Sequence, residues 1–193
     1  MGLNSGSNMI YLSVKAGKLV NVKLKREGYS YTGMLKHIRV KDDEYQGQAL
    51  KRVELEMTDK EETVCIQFGK ESWFSWGFFA RAQKIDLNKP LMVGASQSEQ
   101  MEKISFCWLK QGNETIKKDE TFPKPDAVNF GGKVLKDWIK VDLVVDKIIA
   151  DINDKLDGAL KGGTVIDSDL DFPPADLSAP SPSHPYPQKY GRR

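Results

Sequence analysis

The stretch VELEMTDKEETVCIQFGKESWFSWGFFARAQKI, residues 53–85, changes its hydrophobic period in the middle. Residues 53–57 and 64–68 alternate apolar and polar side chains on either side of a polar turn, which predicts the two strands of a β-hairpin. Residues 71–85 carry aromatic side chains at helical spacing, and Ser72 is suited to cap the first turn of a helix. The stretch therefore predicts a hairpin that leads directly into a helix.

Strand-like alternation continues on both sides of this unit. The further segments are 10–14, 20–24, 29–40, 91–93, 104–108 and 114–118. Gly33 lies inside the longest of them, and a glycine within a strand commonly marks a bulge or a bend. The turn signal Gln111-Gly112-Asn113 separates the last two segments and predicts a second, short hairpin.

This order of elements predicts a mainly β fold with one helix between the third and the fourth of five core strands. A five-stranded OB-fold, which is a partly open Greek-key barrel, fits this order. Residues 10–25 would add an extra N-terminal strand or hairpin. One internal helix is too few for a parallel α/β sheet, and a β-sandwich is the alternative fold.

A second helical pattern starts at Lys133 and is strongest in residues 141–161. There, apolar residues recur every three or four positions while aspartates fill the opposite face, and Gly162-Gly163 ends the pattern. This amphipathic helix packs its apolar face on the barrel or joins a second copy or a partner. The short connection to the barrel favours packing.

The chain therefore divides into four parts. We expect a flexible N-terminus at 1–9, an OB-fold domain at 10–140, the amphipathic helix at 141–161 and a disordered tail at 162–193. The tail first reads DSDLDF at 167–172 and then holds six of the nine prolines. Such a composition cannot bury enough apolar surface to offset the entropy lost on ordering.

Charge and hydropathy narrow the classes of function. The chain has 193 residues and a net charge of +2. Residues 1–140 carry 23 basic against 18 acidic side chains, whereas residues 141–172 carry 3 against 8. A basic body followed by an acidic segment is a layout of nucleic-acid-binding proteins. The sequence contains no apolar run long enough for a membrane helix and no secretory leader, so we expect a cytoplasmic protein.

The sequence offers little for catalysis or for metal binding. His37, His184, Cys65 and Cys107 are too scattered to predict a zinc site or a nucleophile with its base. No glycine-rich phosphate loop of the P-loop type is present in the sequence. We therefore expect two buried, inert thiols, no metal, no cofactor and no enzymatic activity.

Several short segments together resemble one family of DNA-binding proteins. SWFSWGFFARAQ, IDLNKPLMV and ISFCWLKQGNETIK resemble single-stranded DNA-binding proteins of tailed bacteriophages, in which a KQGN turn is typical. DSDLDF is similar to the acidic, Phe-ended tips of bacterial and phage single-strand binders. The resemblance covers residues 29–172, but 21 further residues follow Phe172, whereas the family's tip usually ends the chain.

The resemblance implies a protein that binds and protects single-stranded DNA without chemistry and largely without sequence preference. The implied setting is phage DNA replication, recombination or repair in the host cytoplasm. Such binding requires cations beside the phosphates and flat rings on which bases stack. The candidate DNA-binding residues are Tyr29, Tyr31, Lys36, Arg39, Lys41, Lys51, Arg52, Trp73, Trp76, Trp108, Lys110, Lys117 and Lys118.

Each candidate ring has an alternative role in the core. Tyr29 and Tyr31 face outward if the aliphatic face of their strand lines the barrel, and a bulge at Gly33 would reverse them. Trp108 shares a face with Phe106, which favours a core position, and the helix tryptophans are likewise favoured as core or barrel-plug residues. Tyr45 is a further candidate ring, and the basic run at 15–26 would extend the path.

Two glutamates complicate the predicted surface, and the acidic segment adds a partner site. Glu54 and Glu56 share a face with Arg52, which argues against a uniformly positive sheet. The candidate partner-binding residues are Asp167, Asp169, Asp171 and Phe172. Their spaced carboxylates imitate phosphates, so the segment would compete for the basic groove or recruit replication or recombination proteins; the alternative is a solvated linker.

Other classes of function stay open at this stage. One alternative is a phage structural or assembly protein with a β-barrel and a helical arm. Another is an adaptor that binds a protein through its proline-rich tail, which is compatible with polyproline II recognition. We expect a monomer or a small homo-oligomer.

Overall fold

The computed structural model of the chain describes residues 9–45, 47–60, 62–98 and 101–161. The strands are β1 (Ile10–Lys15), β2 (Lys18–Asn21), β3 (Arg26–Gly28), β4 (Ser30–Tyr45), β5 (Gln48–Thr58), β6 (Thr63–Gly69), β7 (Leu91–Ser98), β8 (Met101–Gln111), β9 (Glu114–Thr115), β10 (Asp126–Phe130) and β11 (Lys133–Asp137). The helices are α1 (Trp73–Ala82) and α2 (Ile139–Lys161). The prediction of a mainly β fold is confirmed, and the predicted tail at 162–193 lies outside the described residues.

Nine of these strands form one large mixed sheet in the order β3-β2-β1-β6-β5-β4-β7-β8-β9. β1 and β6 run parallel, and the other neighbours run antiparallel. β10 and β11 form a separate two-stranded sheet. The hairpin predicted from residues 53–68 is present as β5 and β6, in which Val53 pairs with Phe68 and Met57 with Val64.

β4 changes its partner along its length. Residues 30–33 pair with β7, whereas the following residues pair with β5. Gly33 lies at this change, and an added Cβ there would stand 3.0 Å from the carbonyl oxygen of Thr58. β4 thus changes partner at Gly33, where the sequence predicts a bulge or bend, but the register shift lies further along, between Leu35 and His37.

α1 begins where the sequence predicts and packs its aromatic residues into the core. Ser72 caps the helix, because its Oγ accepts a hydrogen bond from the backbone N–H of Ser75 at 3.1 Å. The buried rings of the helix are Phe74, Phe78 and Phe79. Gly77 lies against β8, where an added Cβ would approach the carbonyl oxygen of Cys107 to 3.1 Å, so the helix sits close to that strand.

The hairpin of β1 and β2 lies inside the sheet, and β3 forms the edge beyond it. Its turn contains Ala16 and Gly17 with φ values of 47° and 71°. The Gly17 N–H donates to Ser105 Oγ of β8 at 2.9 Å, and an added Cβ on Gly17 would lie 2.7 Å from the backbone nitrogen of Gln97 on β7. The hairpin thus pairs with β6 through β1 and reaches β7 and β8 with its turn.

α2 begins at Ile139, two residues before the expected helix at 141–161 but after Lys133, where the helical pattern starts. The helical pattern that starts at Lys133 is wrong in its first part, because residues 126–137 form the β10–β11 hairpin. Gly131 and Gly132 make its turn with φ values of 56° and 78°, the conformation that a tight hairpin turn requires. β9 is also shorter than the predicted strand 114–118, since only Glu114 and Thr115 pair with β8 in the ladder, and the Asp119 N–H donates to the Ala80 carbonyl oxygen of α1 at 2.6 Å.

α2 covers its apolar face by packing within the described part of the chain. Its buried apolar residues are Val141, Val145, Ile148, Ile149, Ile152 and Leu156. The helix contacts β4 and α1, which confirms the predicted packing and leaves this stripe covered. Among the described residues, no helix has both the length and the apolarity needed to cross a bilayer.

Candidate nucleic-acid interface

The two faces of β8 separate core residues from half-exposed ones. Cys107 and Leu109 are buried on the core face, whereas Phe106, Trp108 and Lys110 are half-buried on the outer face. Trp108 pairs with Gly94, and a Cβ added there would lie 2.1 Å from the indole ring. The core position favoured for Trp108 is therefore wrong, because alternation groups residues by face without saying which face α1 will cover.

A cluster of half-buried aromatic rings continues from this outer face to the start of α1. The ring of Trp73 lies 5.8 Å from Trp76, 5.8 Å from Trp138 and 6.4 Å from Phe106, measured between ring centroids. Phe106 precedes Trp108 by two residues on the same face of β8. We call these five residues the tryptophan strip; it includes all four tryptophans of the chain.

The tryptophan strip rests on the core without being part of it. Trp76 donates from Nε1 to the carbonyl oxygen of Pro123 at 2.8 Å, and its ring lies 6.2 Å from the buried ring of Phe122. Trp76 and Trp138 pack against core residues with one side and stay half-exposed. The predicted core role for the helix tryptophans is thus met in part, since the fully buried places go to phenylalanines.

Lysines stand over two rings of the strip. Lys110 Nζ lies 5.5 Å from the ring of Trp108, and Lys118 Nζ lies 5.8 Å from the ring of Trp76. Such cation–π contacts hold an ammonium group beside an aromatic face. Each of these two rings therefore has a positive charge beside it.

A groove of about 800 Å³ runs between α1 and the segment after β9, next to the strip. The cations that line it are Arg81, Lys84, Lys117 and Lys118, against one carboxylate, Glu120. The guanidinium of Arg81 is held in place by hydrogen bonds to the carbonyl oxygens of Ile116 and Gly77, at 3.0 and 2.6 Å. We call this the basic groove.

Three of the predicted cations on β4 and β5 are engaged within the protein. Arg39 pairs with Glu56 at 2.6 Å, Lys41 with Glu54 at 2.8 Å, and Arg52 with Asp43 at 2.8 Å. Glu54 and Glu56 therefore make this face close to neutral rather than positive, because they pair with cations of β4. Phosphate binding here would first have to break contacts that already exist.

Glu54 shows how tightly this face is balanced. The residue is only 4 % exposed, and burial alone would raise the pKa of its carboxyl group. Hydrogen bonds from Lys41 and Gln67, together with the charges of Lys41 and Arg52, outweigh burial and hold the pKa below its ordinary value. Glu54 is therefore charged at neutral pH and keeps its cations occupied.

The remaining predicted residues lie away from the tryptophan strip or at its margin. Lys36 and Lys51 are exposed on β4 and β5. Tyr29 is 65 % exposed, with Lys18 Nζ 5.7 Å from its ring. Tyr31 pairs with the core residue Val93 and is half-buried, so the two tyrosines do not share an outward face. Burial raises the pKa of Tyr31 to about 12.

Sequence reasoning did not assign four residues that the structure brings to this surface. They are Phe106, Trp138, Arg81 and Lys84. Alternation with Trp108 was the available signal for Phe106, and a tryptophan directly before an amphipathic helix was the signal for Trp138. Arg81 and Lys84 follow the aromatic residues of α1 at helical spacing, but only the fold shows that they face the segment after β9.

The described residues hold no cluster of three or more His, Cys, Asp or Glu side chains that could bind a metal ion. Burial raises the pKa of Cys65 to about 11 and raises that of Cys107 further, so both thiols stay protonated. The predicted partner-binding residues Asp167, Asp169, Asp171 and Phe172 lie outside the described residues. No protein-family model, curated protein or solved structure matches the chain.

Proposed function

We propose that this protein binds single-stranded DNA along the tryptophan strip and performs no chemistry on it. The observation that carries the proposal is the row of half-exposed rings, spaced 5.8–6.4 Å around Trp73, with ammonium groups over Trp76 and Trp108. Unpaired bases stack on such rings whatever their sequence, and each stack contributes roughly 1–3 kcal/mol. The basic groove beside the strip would receive the phosphates.

The topology supports an OB-type barrel as the scaffold of this surface. β4 to β8 are five strands with α1 between the third and the fourth, and their order in the sheet is β6-β5-β4-β7-β8. The N-terminal hairpin stands between the two ends of that order, since β1 pairs with β6 and Gly17 bonds to Ser105 of β8. We infer a five-stranded barrel that the hairpin closes.

The role we propose is protection of single strands during phage DNA replication, recombination or repair in the host cytoplasm. The alternative of a phage structural or assembly protein included a helical arm. It is less favoured, because α2 buries its apolar face on the rest of the chain. The charge pattern of the sequence and the family resemblance support the DNA-binding role. The acidic segment at 167–172 would recruit partners or compete for the basic groove.

Replacing Trp108 with alanine tests the proposed surface. We expect Trp108→Ala to weaken binding of fluorescent oligo-dT by about tenfold or more, the loss of roughly one stacked base. Trp108 is half-exposed, so the variant should keep its fold, which circular dichroism will check. Leu50→Ala, at a position 46 % exposed outside the strip, should bind like the wild type. A folded Trp108→Ala protein with unchanged affinity would rule out this surface.

A further inference from the structure

A second groove lies on the outer face of β1, β2 and β6, outside the tryptophan strip. Its volume is about 1040 Å³. One wall is the loop at 22–25, which Asn21 holds in place: Nδ2 donates to the carbonyl oxygen of Tyr11 at 3.0 Å, and Oδ1 accepts from the Leu24 N–H at 2.7 Å. Asn21 itself is 6 % exposed. The loop is therefore a fixed wall, and we call this cleft the N-terminal groove.

The N-terminal groove combines an exposed ring with positive charge. Tyr11 is 48 % exposed on its floor. Lys23 and Arg26 line it against one carboxylate, Glu62, while Arg52 also lines it but is paired with Asp43 at 2.8 Å. This excess of cations beside an accessible aromatic face is complementary to a base and its phosphates.

The two surfaces are joined by a short bridge. Lys18 Nζ on β2 stands 5.7 Å from the ring of Tyr29. The carbonyl oxygen of Tyr29 accepts the N–H of Ala95 on β7 at 2.8 Å, one residue from Gly94, over which the ring of Trp108 lies. The exposed ring of Tyr29 thus stands between the N-terminal groove and the outer end of the tryptophan strip, beside Lys18, whose ammonium group is paired with Glu27 at 2.5 Å.

We propose that the N-terminal groove is a second contact for the same DNA strand, reached across Lys18 and Tyr29. This inference rests on the proposed function, because it assigns to the groove the nucleotides that follow those on the strip. Short oligonucleotides occupy the strip alone, and longer ones gain affinity by filling the groove as well. The length of the strand then decides whether the groove contributes.

The test compares two lengths of labelled oligo-dT, about 4 and about 16 nucleotides, the range that one such domain covers. We expect Lys23→Gln/Arg26→Gln to weaken binding of the long strand by about tenfold and to leave the short strand within about twofold. The slope of log affinity against log salt should fall by about 1.4 for the long strand, about 0.7 for each lost phosphate contact. Tyr11→Thr, which keeps a residue suited to a strand, should also weaken only the long strand.

Lys147→Gln/Lys155→Gln is the matched control, since it removes the same charge from exposed positions on α2. It should change the affinity for neither length by more than about twofold, because neither lysine lines the basic groove or the N-terminal groove. Equal losses for both lengths, or no loss for the long one, would overturn the second contact. Trp108→Ala with the short strand reports on the proposed function separately, because that strand does not reach the groove.

Discussion

Trp108 and Gly94 form the pair of residues on which the geometry of the strip depends most. The indole occupies the space that a side chain at position 94 would need, 2.1 Å from an added Cβ. This close approach sets the ring against the sheet, and Trp108 remains half-buried, with Lys110 Nζ 5.5 Å from its ring. A base requires such a ring to be held still, because an ordered ring loses little entropy when a base stacks on it.

Gly94→Ala should therefore impair DNA binding although it replaces no residue of the strip. The added methyl group displaces the Trp108 ring, and we expect a loss in stability of about 1–3 kcal/mol from the overpacked contact. Affinity for oligo-dT should fall about as far as in Trp108→Ala, and the double variant should be no weaker than Trp108→Ala alone. Fluorescence polarisation on the three folded variants measures this. Additive losses would show that position 94 acts by another route.

At the scale of elements, the amide of Asn153 joins α2 to the edge of β4. β4 leaves β7 after residue 33, so the edge of β4 at Ile38 is free of that neighbour. Asn153 takes its place: Oδ1 accepts the Ile38 N–H at 3.0 Å, and Nδ2 donates to the Ile38 carbonyl oxygen at 2.8 Å. The same Oδ1 lies 2.8 Å from His37 Nδ1. The side chain of Asn153 thus makes the two hydrogen bonds that a neighbouring strand would make with Ile38.

Asn153→Ala should lower the free energy of unfolding by about 2–4 kcal/mol, because two partly buried backbone groups lose their partners. Chemical denaturation monitored by circular dichroism measures the change, and the Ile38 amide should exchange faster with solvent. Asp154→Ala, an exposed neighbour on the same helix, is the control and should stay within about 0.5 kcal/mol of the wild type. Equal effects of both variants would contradict the role of the amide.

A buried lysine pairs with two aspartates near the start of the same helix. Lys70 is 2 % exposed, and its ammonium group pairs with Asp146 at 2.8 Å and approaches Asp142 at 3.7 Å. Burial raises the pKa of Asp142 and the nearby charge of Asp146 adds to this, although Lys70 opposes both. The helix is therefore held by the ion pairs of Lys70 near its start, by the amide of Asn153 further along, and by the buried apolar stripe.

At the scale of the whole molecule, the sequence predicted which elements form but not how all of them are placed. Alternation of apolar and polar residues identified β5 and β6, and the helical spacing of aromatic residues identified α1. Each of these patterns extends over enough residues to be recognised. Alternation could not show that β1 enters the sheet beside β6, since parallel pairing between distant segments leaves no local signal. The β10–β11 hairpin was missed because Val134 and Leu135 continue the apolar pattern of the helix that follows.

The sequence also predicted only part of the candidate site. The sequence identified tryptophans and lysines as the chemistry that single strands need, and the tryptophans it named all lie on the strip. It also named Arg39, Lys41 and Arg52, whose ion pairs depend on the register between β4 and β5 and so on tertiary structure. The sequence predicted that Trp108 shares a face of β8 with Phe106. It could not predict whether that face points toward the core, because this depends on the packing of Gly77 on Cys107.

Removing residues 164–193 tests whether the acidic segment competes with DNA. The deleted part carries the three aspartates of DSDLDF, and an acidic segment on the same chain, at high effective concentration, would compete with DNA for the basic groove. We therefore expect the truncated protein to bind oligo-dT more tightly at low salt, with the difference fading as salt screens both. Weaker binding after deletion would contradict competition.

The most direct measurement of the central claim is a salt-dependent titration of the intact protein with fluorescent oligo-dT and with a duplex of equal length. Tryptophan emission is recorded at the same time, because the rings of the strip are the expected stacking sites. We predict binding at least about tenfold tighter for the single strand at about 0.1 M salt, with quenching of the tryptophans and affinity that falls as salt rises. Equal affinity for both forms of DNA, or binding that leaves tryptophan emission unchanged, would contradict the account.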